Sequence, residues 1–134
     1  MPHPPQDLSE KAVSGQESRL LGRWGEEQTA SWLRKKGVRL AASGYRCRFG
    51  EIDLIAEDET YICFIEVKLR RSAAFAQARE FVDERKQERL RLTAEHYLLG
   101  HPCALQPRFD VAEVYAPEGI STKNPQIIYL ENAF

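Results

Sequence analysis

Gly50-Glu51-Ile52-Asp53-Leu54-Ile55-Ala56, followed by Phe64-Ile65-Glu66-Val67-Lys68, decides how this chain is read. Two β-forming runs flank the polar segment Glu57-Asp58-Glu59-Thr60, the pattern of a hairpin with Asp53 on its first strand and Glu66 and Lys68 on its second. Successive strand side chains point to opposite faces, so Glu66 and Lys68 share one face while Ile65 and Val67 take the other. The acid and the lysine then stand about 7 Å apart along the strand, close enough to converge on one ligand atom or ion. Charges amid apolar neighbours are costly to bury without a compensating partner.

Around this hairpin the remaining segments fall into place. Residues 1 to about 16 are polar and proline-rich, an expected loose or disordered tail. Residues 17–134 form the expected single domain. A helix is predicted over about 17–36, stopped by Gly37, with Leu21, Gly25, Trp32 and Leu33 on one broad side and Glu26 at its edge. A strand over about 39–47 precedes the hairpin. After Lys68 come the basic turn Arg70-Arg71-Ser72 and a loop or short helix near Phe75 to Arg79. A second long helix spans about 83–99, closed by Gly100 and Pro102, with Val82, Leu90, Ala94, Tyr97 and Leu98 as its apolar stripe. Lys86 lies within that stripe. Strands over about 109–115 and 127–130 complete an α-β-β-β-α-β-β order, which predicts an α/β fold with one mixed sheet and flanking helices.

Composition narrows the function classes. A hydrophobic fraction of 43% is ordinary for a globular protein. The formal charge of -1 gives no global electrostatic case for nucleic acid, so such binding needs a local basic patch. Cys47, Cys63 and Cys103 form no C-x-x-C pair and are odd in number, which predicts reduced, mostly buried thiols of a cytoplasmic protein. The N-terminus lacks a cationic and an apolar region, so no secretory signal is read there. No apolar run approaches a membrane span. No G-x-S-x-G or P-loop pattern occurs, and His3, His96 and His101 show no metal-ligand spacing with the cysteines.

The chemistry that Asp53, Glu66 and Lys68 suit is phosphodiester hydrolysis, which needs neutralised phosphate charge, an activated water and in-line geometry. Mg²⁺ or Mn²⁺ takes oxygen ligands, commonly one or two carboxylates with water and phosphate oxygens. Asp53 and Glu66 supply the carboxylates and the Val67 carbonyl a further oxygen. Lys68 would orient or help deprotonate the water, or stabilise the pentacovalent phosphate. Glu26 and Lys86, charges beside apolar stripes, would steer water and contact phosphate respectively. Arg46, Arg48, Arg70 and Arg71 cluster near the acids and would track a phosphate backbone, while Tyr45 and Phe49 flank the first two. The bland alternative is a solvated sheet face with an ordinary cross-strand acid–lysine pair and a helix laced with ion pairs.

Taken together, these residues resemble the bacterial YraN family, a group related to the PD-(D/E)XK nuclease superfamily. The resemblance covers residues 23–134. Its landmarks are Gly25-Glu26 with Ala30 and Leu33, Tyr45-Arg46-Cys47-Arg48, the two hairpin stretches, Arg70, Lys86-Gln87, Arg89-Leu90, Arg108-Phe109-Asp110-Val111 and Asn132-Ala133-Phe134. It implies a restriction-endonuclease-like core, similar to that of archaeal Holliday-junction resolvases. The superfamily's metal-binding acids would fall on Asp53 and Glu66, its catalytic lysine on Lys68 and its helical acid on Glu26, with Lys86 and Gln87 supporting the site. Ile52 stands in place of the proline of the superfamily name, Gly44 in place of a usual asparagine, Leu69 of a threonine and Ala76 of a glycine. None of these deletes a metal ligand.

The resulting expectation is a metal-dependent nuclease acting on DNA, with branched or processed structures as candidate substrates and RNA left open. A homodimer or a larger DNA-processing complex would suit symmetric junction cleavage. The competing expectations are a nucleic-acid-binding module of the same fold without catalysis, and a protein-interaction domain with structural charges.

Overall fold

The computed structural model describes residues 15–71 and 82–134. The segment near Phe75 to Arg79 and the expected tail lie outside them, apart from Gly15 and Gln16, which already belong to the first helix. Helix α1 spans Gly15–Lys35. It ends as Gly37 predicts: with φ of 83°, Gly37 lets its own N–H reach the Arg34 carbonyl and the Val38 N–H reach that of Leu33.

Strands β1 (Arg39–Cys47), β2 (Gly50–Glu57) and β3 (Tyr61–Arg70) pair antiparallel in chain order. Helix α2 (Glu84–Gly100) then crosses over to β4 (Gln106–Tyr115), which runs parallel to β3, and β5 (Gln126–Leu130) returns antiparallel. The five-stranded mixed sheet thus has the order β1-β2-β3-β4-β5, and the element order is α-β-β-β-α-β-β. This is the arrangement expected of a restriction-endonuclease-like core. Asp83 caps α2, its carboxylate accepting from the Lys86 N–H at 2.8 Å.

Strand β4 begins three residues earlier than the sequence suggests and takes in Pro107, a residue that interrupts most strands. Here it is harmless. The Gln106 N–H bonds the Thr60 carbonyl on the β3 side, and β5 pairs with β4 only from Val111 onward, so among the described residues no strand pairs with Pro107 on its other side to miss its N–H.

The helices cover opposite faces of the sheet. Alternate β3 residues Ile62 and Phe64 pack with Leu90, Ala94 and Tyr97 of α2, whereas Cys63 and Ile65 pack with Leu33 of α1. Burial of β3 on both faces explains its near-continuous apolar sequence. The thiols are all free, but only Cys63 is buried; Cys47 is half-buried and Cys103 exposed, so the expectation of mostly buried thiols is corrected.

Two irregularities shape the site. The β2–β3 ladder runs from Glu57↔Ile62 to Leu54↔Ile65 and stops, while β2 continues against β1 to Gly50 and β3 continues against β4 to Arg70. The strands therefore fork beyond Leu54 and Ile65. Alternation in β2 also fails there: Ile52 and Ile55 share the α2-side cluster although Leu54 belongs to the other. Across from Asp53, between the pairs Ser43↔Leu54 and Tyr45↔Ile52, stands Gly44 with φ of 68°. Asparagine is among the few side chains that tolerate this region, so the glycine here and the asparagine that the resemblance implies suit the same backbone.

Candidate active site at the fork of the sheet

Asp53 occupies the first position beyond the ladder. Its Oδ2 accepts a hydrogen bond from the Val67 N–H at 2.8 Å, a side chain standing where the next backbone rung would be. Burial drives its carboxyl upward first, and the charge of Glu66 next; the Val67 N–H opposes them, while Glu26 and Glu51 add to the rise. The net result is a carboxyl pushed up to about 7.

Glu66, opposite Asp53, is buried, and its Oε2 meets the Lys86 Nζ at 2.6 Å. Glu26 arrives from α1. The neighbouring Gly25 permits this approach, since a Cβ there would meet Leu69 Cδ2 at 3.0 Å. Burial is the main cause raising the Glu26 carboxyl, followed by the charge of Glu51; Arg23 opposes this and Glu66 adds to it. Glu26 itself lines the neighbouring groove with Arg23, Gly44 and Leu54. Asp53 thus lies in the field of three further acids, Glu66, Glu26 and Glu51, drawn from two strands and one helix.

Between β2, β3 and α2 lies a cleft of about 230 Å³ lined by Glu51, Asp53, Glu66, Lys86, Arg89 and Thr93. Gly50, also in its wall, holds φ of 152°, and a Cβ there would come 3.3 Å from Thr93 Oγ1. The missing side chain lets α2 sit close to the start of β2. Among the described residues no three acidic, histidine or cysteine side chains converge as a ready-made metal cage.

The fold brings Asp53, Glu66 and Lys86 to this cleft, with Glu26 nearby. Lys68, two residues beyond Glu66, is half-buried, does not line the cleft and has no ion pair among the described residues. The Val67 N–H faces Asp53, and a strand residue presents its carbonyl on the same side as its N–H, so that oxygen also belongs to the fork. Gln87 is turned elsewhere: its Nε2 donates to the Val82 carbonyl at 2.7 Å, securing the start of α2.

The basic residues divide. Arg46 is exposed and pairs at 3.1 Å with Glu51 of the cleft wall, and Arg48, also exposed, lies over the Phe49 ring at 4.8 Å. Arg71 is exposed. Arg70 is drawn inward by the buried Glu113, at 3.3 Å, and does not present a free guanidinium. Tyr45 packs edge-on against Tyr97 and bonds His96 Nδ1 at 2.6 Å, leaving Phe49, edge-on to His96, as the more peripheral aromatic.

Glu51 and Thr93 are cleft residues to which the sequence reading assigned no role, and Arg89, visible there only as one of several basic residues and a family landmark, joins them in the cleft wall. Glu51 lies two residues before Asp53, and Arg89 and Thr93 lie three and seven beyond Lys86. Helical spacing from Lys86 is the signal that finds the last two.

Comparison with known proteins agrees with the landmarks. The chain is 43% identical over 118 residues to a UPF0102 protein of Alkaliphilus metalliredigens, covering 87% of this chain and 99% of that one. A UPF0102 protein of Syntrophomonas wolfei is 39% identical over 118 residues, with 87% and 99% covered. One from Methylococcus capsulatus is 38% identical over 122 residues, with 91% and 96% covered. The profile of the uncharacterised protein family UPF0102 matches residues 25–114, a span holding Glu26, the whole fork and Lys86. The chain belongs to UPF0102, the YraN family.

Proposed function

We propose that the fork is the active site of a Mg²⁺- or Mn²⁺-dependent nuclease that hydrolyses phosphodiester bonds in DNA in the cytoplasm. The observation that supports this most is the placement of Asp53 and Glu66 at the rung where the β2–β3 ladder stops, within a cleft that also holds an ammonium group. Mutually repelling carboxylates, one held up to about 7 largely by burial and by its neighbour, are what a hard divalent cation relieves.

The donor set fits such an ion. Asp53, Glu66 and the Val67 carbonyl are oxygen donors, and because Mg²⁺ commonly keeps water and phosphate oxygens as its other ligands, no third acidic side chain is required. The bound ion would neutralise phosphate charge and lower the pKa of its water. Lys68 would orient the attacking water from the strand, and Glu26 would accept a proton or steer solvent from α1. Lys86 and Arg89 would meet phosphate oxygens, and Arg46, Arg48 and Arg71 would guide the backbone toward the cleft. A homodimer would place two such sites on a symmetric branched substrate.

The test is cleavage of labelled single-stranded, duplex, flap and four-way-junction DNA with Mg²⁺ or Mn²⁺. Wild type, Asp53→Ala and Lys68→Ala should be purified side by side. Metal-dependent cutting lost in both variants is expected; cutting by Asp53→Ala equal to wild type would overturn the reading.

The second reading is a nucleic-acid-binding module without independent catalysis. The Lys86–Glu66 pair favours it, since an ammonium already satisfies the buried carboxylate. It predicts salt-sensitive DNA binding with no turnover in either metal.

A further inference from the structure

We propose that Lys86 is a built-in counter-ion for Glu66 which a divalent cation must displace, so that metal entry and release of the lysine toward substrate phosphate are one exchange. This rests on reading the fork as a metal site. The Lys86 Nζ stands 2.6 Å from Glu66 Oε2, an oxygen that the metal reading requires. The pair is asymmetric: the Glu66 side chain is 9% exposed and that of Lys86 40%. Glu66 is fixed in the wall of the cleft, whereas the ammonium is at the end of a flexible stem open to solvent. Only the lysine can leave.

The position of Lys86 on its helix supports the same assignment. Its backbone N–H bonds the Asp83 carboxylate at 2.8 Å, so the main chain is anchored and any movement belongs to the side chain. It lies in the first turn of α2, where the macrodipole disfavours a cation and a capping box would place an acid or amide. The helix gains nothing from a lysine here; Glu66 does. Once displaced, the ammonium would remain at the mouth of the same cleft as Arg89, poised for an anionic oxygen.

The exchange is tested by Mn²⁺ titration calorimetry and by the Mn²⁺-induced shift in melting temperature, on the full chain without DNA. Lys86→Met removes the competing charge at similar volume, and the expected result is Mn²⁺ binding about tenfold tighter than wild type, with a larger melting shift. Lys86→Gln removes the charge while leaving a donor for Glu66, and gives the same comparison without a bare buried carboxylate. Lys86→Arg keeps the charge and should bind Mn²⁺ no more tightly than wild type. Equal Mn²⁺ affinity in wild type, Lys86→Met and Lys86→Gln, or weaker affinity in the uncharged variants, overturns the exchange while leaving the metal reading intact. Absence of Mn²⁺ binding in all the folded proteins overturns both.

Discussion

The Val67 N–H donates to Asp53 Oδ2 across 2.8 Å, so the carboxylate takes the place of a backbone carbonyl at the first missing rung between β2 and β3. One oxygen of Asp53 is thereby oriented by the main chain. Its surroundings hold its carboxyl far above the ordinary aspartate range.

The first prediction follows from that shift. The folded protein holds the Asp53 proton up to about 7, while the unfolded chain releases it near the ordinary aspartate value of 3.8. The folded state therefore binds more protons between those values. The resulting stabilisation is full below the unfolded pKa and is lost as pH rises through the folded one. Metal-free wild type should melt at progressively lower temperature from about pH 4 to pH 8 relative to Asp53→Asn, whose amide cannot ionise. Parallel melting curves for the two proteins across that range would refute the shift.

Gly44 should accept asparagine and little else. At φ of 68°, Gly44→Asn is expected to change stability by less than about 0.5 kcal/mol, and Gly44→Val to cost about 1–2 kcal/mol. Urea denaturation of the two variants decides it, and similar losses for both would show that this backbone is not retained.

Asp110 should be among the costliest residues to remove. Fully buried, it receives Arg108 through two nitrogens, the Tyr129 hydroxyl and the Asn132 N–H. Asp110→Ala leaves the largely buried Arg108 guanidinium with, as its ion pair among the described residues, only the longer 3.7 Å contact to the exposed Glu131 carboxylate and should lower unfolding free energy by about 3–5 kcal/mol. A loss below 1 kcal/mol in chemical denaturation would mean that Arg108 finds solvent without cost.

Arginines near the site should separate by role. Arg46→Ala and Arg48→Ala are each expected to weaken DNA binding and to reduce the salt slope by about one, with little change in melting temperature. Arg70→Ala, by contrast, leaves Glu113 buried without its guanidinium and should lower the melting temperature. Filter binding across a salt series, with a melt on each protein, makes the distinction. An equal salt effect from all three would place Arg70 on the binding surface after all.

What could be read in the sequence was what obeys a fixed period. Glu66 separates from Ile65 because β3 alternates regularly, and Gly37 announces its helix stop because only the left-handed region allows that turn. The site becomes illegible where periodicity fails. Gly50 to Ala56 looks like an ordinary strand, yet Ile52 and Ile55 face the same core. The glycine associated with that break is Gly44, on the neighbouring strand. Arg70 reads as part of a basic turn because the buried acid that captures it, Glu113, lies on a strand that is distant in sequence. Lys86 is visible as a charge in an apolar stripe, but its partner is set by a parallel crossover that local spacing cannot encode.

The early end of the β2–β3 ladder also bears on motion. Asp53 and Glu66 are carried by two strands that share main-chain bonds on one side of the site and diverge on the other, held together at the opening by a side chain. The distance between the two acids can therefore change through rotation of the Asp53 side chain, with every main-chain hydrogen bond of the sheet left in place. The two most chemically capable residues of the sheet thus face each other across strands that share no ladder pair at that point.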